Sequence, residues 1–221
     1  MRKLRHAAGC AVGALGLVLP LGLLGGVTVA QAATSPNLIA NPGAGVGHGS
    51  SDGSVVPVPK WTELTGTTFT AVLYGATGGF PTADSPGPPN RGKDFFAGGP
   101  GTDTVTAVQT ISLAPYLTAI KAGKAQFSLS GWLGGFGSQN DSGFVEVDWK
   151  NGSGSLVGTS ATIGPVTAAQ RNNVTGLLQE ATSGTVPKGA RKAFVQLSLF
   201  PTTGSYNDGF ADNLILKITT P

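Results

Sequence analysis

Runs of strict apolar and polar alternation, broken every few residues by glycine, proline or asparagine, dominate this chain and confine it to short, half-buried strands. In residues 125–133, Phe127, Leu129 and Leu133 fall on one side, and Gln126, Ser128, Ser130 and Trp132 on the other. In residues 144–149, Val145, Val147 and Trp149 oppose Phe144, Glu146 and Asp148. In residues 194–200, Val195, Leu197 and Leu199 oppose Phe194, Gln196, Ser198 and Phe200. Further strand candidates lie at 37–40, 68–74, 94–98, 104–113, 156–160, 177–182 and 213–218. Clusters such as GGPG at 98–101 and NGSG at 151–154 supply the turns between them. The one helix expected is short, 115–122, with Pro115 in its first turn and Gly123 just past its end. This pattern predicts an all-β fold, an antiparallel β-sandwich of jelly-roll type.

Composition narrows the class. Only 11% of the 221 residues are charged, against about 25% in an ordinary globular chain, which excludes long salt-bridged helices and coiled coils. Arg2, Lys3 and Arg5 precede an apolar run over 7–30 that ends in AQA at 30–32. A basic start, an apolar stretch and a small-residue end predict a secretory signal peptide over residues 1–32, leaving a single domain over 33–221. Those three are the only charged residues lost with the leader, so the remainder carries equal numbers of basic and acidic side chains. The basic excess of the precursor therefore implies no nucleic-acid partner. Cys10, the sole cysteine, also lies in the leader, so the exported domain must hold together without disulfides. The expected product is a secreted, extracellular monomer with no membrane insertion after cleavage.

Three segments carry a resemblance. The opening NLIANPG at 37–43, Trp61 some twenty residues on, and the closing GFADNLIL at 209–216 resemble the first and last strands of secreted carbohydrate-binding modules. Those are the galactose-binding-like jelly rolls appended to cellulases and xylanases. The middle, with RGKDFFAGG at 91–99, SGWLGG at 130–135 and YNDG at 206–209, is similar to a group of stand-alone secreted actinobacterial proteins of unassigned function. The resemblance implies a structural calcium between the first strands and the last. Asp212, which a period of two places on the inward side with Leu214, Leu216 and Ile218, would be one ligand. Where such modules carry a glutamate after the Asn-Pro-Gly turn, this chain has Gly45, and Asp94 would compensate.

A sugar presents apolar C–H faces and a ring of hydroxyls, so its site needs a flat aromatic beside amide and carboxylate groups. Trp61, Trp132 and Tyr206 are the candidate platforms, and Gln139, Asp141, Asn207 and Asp208 the candidate hydrogen-bonding groups. The expected partner is a polysaccharide or cell-surface glycan, bound without catalysis. Two alternatives stand beside this: a carbohydrate-active hydrolase using paired carboxylates among Asp141, Asp208 and Glu146, and a cell-surface protein-interaction domain. With no cysteine after the leader and His48 its only histidine, in a Gly-rich stretch, thiol catalysis is excluded and a Ser-His-Asp triad lacks a firmly held base.

Overall fold

The computed structural model describes residues 31–221; residues 1–30, which hold nearly all of the expected leader, lie outside the described residues. Eleven strands form two antiparallel sheets. They are β1 (Ala33–Thr34), β2 (Thr62–Thr65), β3 (Thr70–Leu73), β4 (Asp94–Pro100), β5 (Val105–Ser112), β6 (Gln126–Gly135), β7 (Ser142–Lys150), β8 (Ala161–Ile163), β9 (Gly176–Thr185), β10 (Lys192–Phe200) and β11 (Tyr206–Thr220). The first sheet runs β3-β4-β11-β6-β9, with β1 also pairing with β11; the second runs β2-β5-β10-β7-β8. This is the antiparallel jelly-roll sandwich expected from the alternation. Between the sheets, Leu129, Leu133, Val147, Trp149, Leu197, Leu199, Leu214 and Leu216 are fully buried, and each such side chain contributes about 1.5–3 kcal/mol relative to exposure. The short helix α1 (Leu117–Ala122) follows a turn at Ala114–Tyr116 and ends on Gly123, whose φ of 70° supplies the left-handed cap.

Two strand expectations are corrected. Residues 37–40 are not a strand: Leu38 donates to the Leu216 carbonyl at 2.8 Å, but beside it the Asn37 side chain makes the bonds, accepting from Leu216 N at 3.0 Å and donating to Leu214 O at 2.9 Å. Residues 156–160 hold only an isolated bridge from Leu156 to Lys150, and the strand comes later, as β8.

A third layer covers the outer face of the first sheet. Phe95 and Phe96 are consecutive and both fully buried, because Phe96 enters the core between the sheets while Phe95 points outward into a second cluster with Val72, Phe80, Ala97, Leu177 and Phe210. The segment between β3 and β4 wraps over this cluster. Arg91 ties that segment together, donating to the Thr82, Ser85 and Pro88 carbonyls at 2.8–2.9 Å while its guanidinium lies 4.9 Å above the Tyr74 ring.

The long strand β11 changes phase in its middle. Asp212 opposes Trp132 and Ile215 opposes Ser130, so three residues of β11 span two of β6. The extra residue is a β-bulge in which Asn213 takes a φ of 47°. The bulge corrects the reading of Asp212, which lies on the outer side with Phe210 and Trp132, whereas Leu214, Leu216 and Ile218 point into the core. Asn213→Gly should leave the urea midpoint nearly unchanged, and Asn213→Val should lower stability by about 1–2 kcal/mol, because a β-branched residue resists a positive φ. Equal midpoints for the two variants would contradict the bulge.

Candidate functional site

A groove of ≈ 290 Å³ opens on the outer face of the first sheet, beside the bulge. Trp132, half-buried on β6, forms its floor, packed on one side against the outer apolar cluster. Gln179 of β9 stands directly opposite Trp132 in register, and Ser130 and Ile215 continue the same face. The wall comes from Pro89 and Asn90, which Arg91 holds in place, and from Asn213, whose side-chain amide donates to Asn90 Oδ1 at 3.1 Å. Every side chain lining the groove is neutral. An indole ringed by amides and a hydroxyl presents an apolar face with donors and acceptors around it.

A smaller pocket of ≈ 200 Å³ lies elsewhere on the same layer, lined by Asp52, Gly78, Phe80, Phe136, Tyr206 and Asp208. Tyr206 donates its hydroxyl to Gly53 O at 2.9 Å and meets Phe80 edge-on at 5.3 Å. Burial, and secondarily the Asp208 and Asp52 charges, push the Tyr206 hydroxyl up. Burial first, then the neighbouring Asp141 carboxylate, raise Asp208 to about 7. Asp52 goes the other way, to about 2, because Ser54 and then Ser50 hydrogen-bond its carboxylate.

None of the remaining expected sugar contacts lines either opening. Trp61 is a core residue, only 8% exposed, its indole N–H given to Asn41 O at 3.1 Å and its ring packed edge-on against Phe69 and Phe96. It has no face to offer a sugar. Asp141 is wholly buried; its Oδ1 accepts from Thr202 N, Thr202 Oγ1 and Thr203 N, and its Oδ2 from Asp208 N, so it caps the loop before β11. Asn207 is also fully buried, donating to Asp103 O and Leu199 O and accepting from Gly209 N. Gln139 is half-buried with its Oε1 unpartnered, and its backbone carbonyl accepts from Arg171 at 2.8 Å. Of the seven expected sugar contacts, Trp132 thus stands in the groove, and Tyr206 and Asp208 share the smaller pocket. For the hydrolase alternative, Asp141 and Asp208 adjoin, but the Asp141 oxygens are taken, and Glu146 lies on the outer face of the second sheet, bonded to Gln196 at 3.1 Å. These three carboxylates form no common site.

Asp212 and Asp94 sit near the turn at 43–49. Asp212 accepts from the Tyr74 hydroxyl at 2.7 Å and from Asn213 N at 2.6 Å, and burial raises it to about 7 against the pull of those two bonds. Asp94, only 4% exposed, has a buried Oδ1 with no hydrogen-bond partner. Burial raises its carboxyl, opposed by the Gly49 N–H, Lys93 and His48. Among the described residues no group of three or more His, Cys, Asp and Glu side chains converges. The orphaned Asp94 oxygen fits a cation; both Asp212 oxygens are already engaged.

Missed by sequence reasoning were Gln179, Asn90 and Asn213 in the groove and Asp52, Phe80 and Phe136 in the pocket. The alternation placed Gln179 on a strand, but its place beside Trp132 depends on cross-strand register, which no local pattern encodes.

No family profile matches the chain, and no curated protein matches it. Solved structures do. The Stig cyclase Fisc from Fischerella sp. TAU is similar over 85% of this chain and 98% of its own, at 12% identity and a TM-score of 0.50. A family 16 carbohydrate-binding module is similar over 81% of this chain and 99% of its own, at 18% identity and a TM-score of 0.49. The enzymatically active domain of bacteriophage CBA120 tailspike protein 4 matches 81% of this chain at 16% identity and a TM-score of 0.49, and the match spans 21% of that protein. The likeness is one of fold.

Because Asp208 sits near 7 in the folded domain against 3.8 for an exposed aspartate, the fold retains a proton that the unfolded chain releases. Its contribution to stability is whole below pH 3.8 and is lost as pH rises through about 7. Asp208→Asn should therefore flatten the fall in melting temperature across that window. Parallel wild-type and variant curves would contradict the assignment.

Proposed function

We propose that the chain is a secreted, non-catalytic carbohydrate-binding domain that takes a neutral polysaccharide or cell-surface glycan in the Trp132 groove. One observation carries this reading: of the three tryptophans, Trp61 and Trp149 are in the core and Trp132 alone lines an open groove, amid uncharged amides and a hydroxyl. A half-buried indole with one face open to water is costly to leave unpaired and stacks well on a pyranose face. Gln179, Asn90 and Asn213 supply amide donors and acceptors, the group type that hydrogen-bonds hydroxyls. The absence of charge from the lining favours a neutral glycan over an acidic one. The sequence resemblance to carbohydrate-binding modules supports the same reading. Trp132→Ala should lower retention on the bound polysaccharide by at least about tenfold while the domain stays folded, and Gln179→Ala should lower it about two- to tenfold. Undiminished binding by Trp132→Ala would overturn the site.

We also propose a structural calcium at Asp94. Its unpartnered buried oxygen supports this, with the remaining ligands drawn from backbone carbonyls and water, as a hard cation accepts. A bound ion would tie the 43–49 turn to the start of β4, and its binding energy would add directly to stability. Excess calcium should raise the melting temperature relative to chelator in wild type and not in Asp94→Asn. The same melting temperature with calcium and with chelator would remove the ion.

A further inference from the structure

The smaller pocket has a chemistry opposite to that of the groove. Its walls are the rings of Phe80, Phe136 and Tyr206, and its polar groups are the carboxylates of Asp52 and Asp208. No basic side chain lines it, and the one salt bridge among the described residues, Lys150 to Asp148, lies on the other sheet. The charges that face Asp208 and Tyr206 are acidic: Asp141 behind Asp208, and Asp52 and Asp208 around the phenol. Asp52 is ionised, whereas Asp208, half-buried beside the buried Asp141, holds its proton up to about pH 7 for want of a cation, and an ammonium ion bound against it lets that proton go. Aromatic faces add to that attraction for an ammonium ion. The pocket is also built to hold its shape: Asp52 is fixed by Ser50 and Ser54, Tyr206 by Gly53, and the Asp208 backbone by Asp141.

We propose that this pocket binds the protonated amine of an amino sugar, so that the domain recognises a glycan carrying unacetylated hexosamine. Phe136, Tyr206 and Trp132 all rest on the same outer apolar cluster, so pocket and groove open from one layer. The proposal rests on the glycan-binding reading and adds a charge requirement to it: the groove stacks on one pyranose ring, and the pocket takes the ammonium group of another. An N-acetyl group would remove the positive charge and leave the pocket without a counter-ion.

The test compares a glucosamine hexamer with an N-acetylglucosamine hexamer by titration calorimetry on the 33–221 domain, in a buffer near pH 7, where Asp208 and the free amines are both partly ionised and binding draws both into the charged pair. Wild type should prefer the glucosamine hexamer by about tenfold or more at low salt, and the preference should shrink as salt is raised. Asp52→Asn with Asp208→Asn should abolish the preference, and Asp208→Asn alone, which removes no hydrogen bond of the fold, should reduce it. Melting curves verify that each variant is folded. Trp132→Ala should weaken both hexamers and leave their ratio intact. Equal affinity of wild type for the two hexamers, lack of binding to either, or a preference that survives in the folded double variant or vanishes in Trp132→Ala, would overturn the proposal. Failure of the glycan reading itself is separate, since it appears as undiminished binding of neutral polysaccharide by Trp132→Ala.

Discussion

The bulge at Asn213 is the constraint on which the rest of the arrangement depends. Strand β11 pairs with β1, β4 and β6 and is the longest among the described residues, and a strict period of two would put Asp212 and Leu214 on the same side of it. One extra residue separates them. Leu214, Leu216 and Ile218 can then fill the core between the sheets, while Phe210 and Asp212 face outward to meet Phe95 and Tyr74. The positive φ of Asn213 that makes this possible also aims its amide at Asn90 and so closes the groove wall.

The outer layer follows from that phase change. A carboxylate facing outward from a sheet would ordinarily be solvated, but Asp212 is fully buried, because the segment between β3 and β4 folds over it. The Tyr74 hydroxyl and the Asn213 N–H satisfy its two oxygens, and Arg91 lies across the Tyr74 ring. The same covering segment contributes Pro89 and Asn90 to the groove and Gly78 and Phe80 to the acidic pocket. Two sites of contrasting electrostatics are thus two margins of one layer, held by one aromatic cluster.

Fold class was legible because alternation is a local property: Leu129 and Leu133, Val145 to Trp149, and Val195 to Leu199 all bury the side that their periodicity assigns. The Pro115 and Gly123 punctuation marked the single helix for the same reason. Asp212 was misplaced because a bulge is an exception to period two that only tertiary pairing reveals. Trp61, Asp141 and Asn207 have the chemistry of sugar contacts, but the same donors and acceptors cap loops and fill cores, and residue type does not distinguish the uses. The consecutive pair Phe95-Phe96 did hold a readable signal, since two adjacent large apolar residues on a strand require both faces to be covered. The groove partners of Trp132 were not legible, because they arrive from β9, β11 and a loop through long-range register.

The arrangement of the tryptophans gives the account a direct optical test. Trp61 is 8% exposed and Trp149 is fully buried, so Trp132 is the indole that a ligand in the groove would shield. Trp61 and Trp149 emit as a constant background while the domain is titrated with soluble oligosaccharides of the polysaccharide it retains, so the change in tryptophan emission and acrylamide quenching reports on Trp132. The account predicts a blue shift and loss of the quenchable fraction that saturate together with binding. Saturable binding that leaves both the emission and the quenching unchanged would place the glycan elsewhere and contradict it.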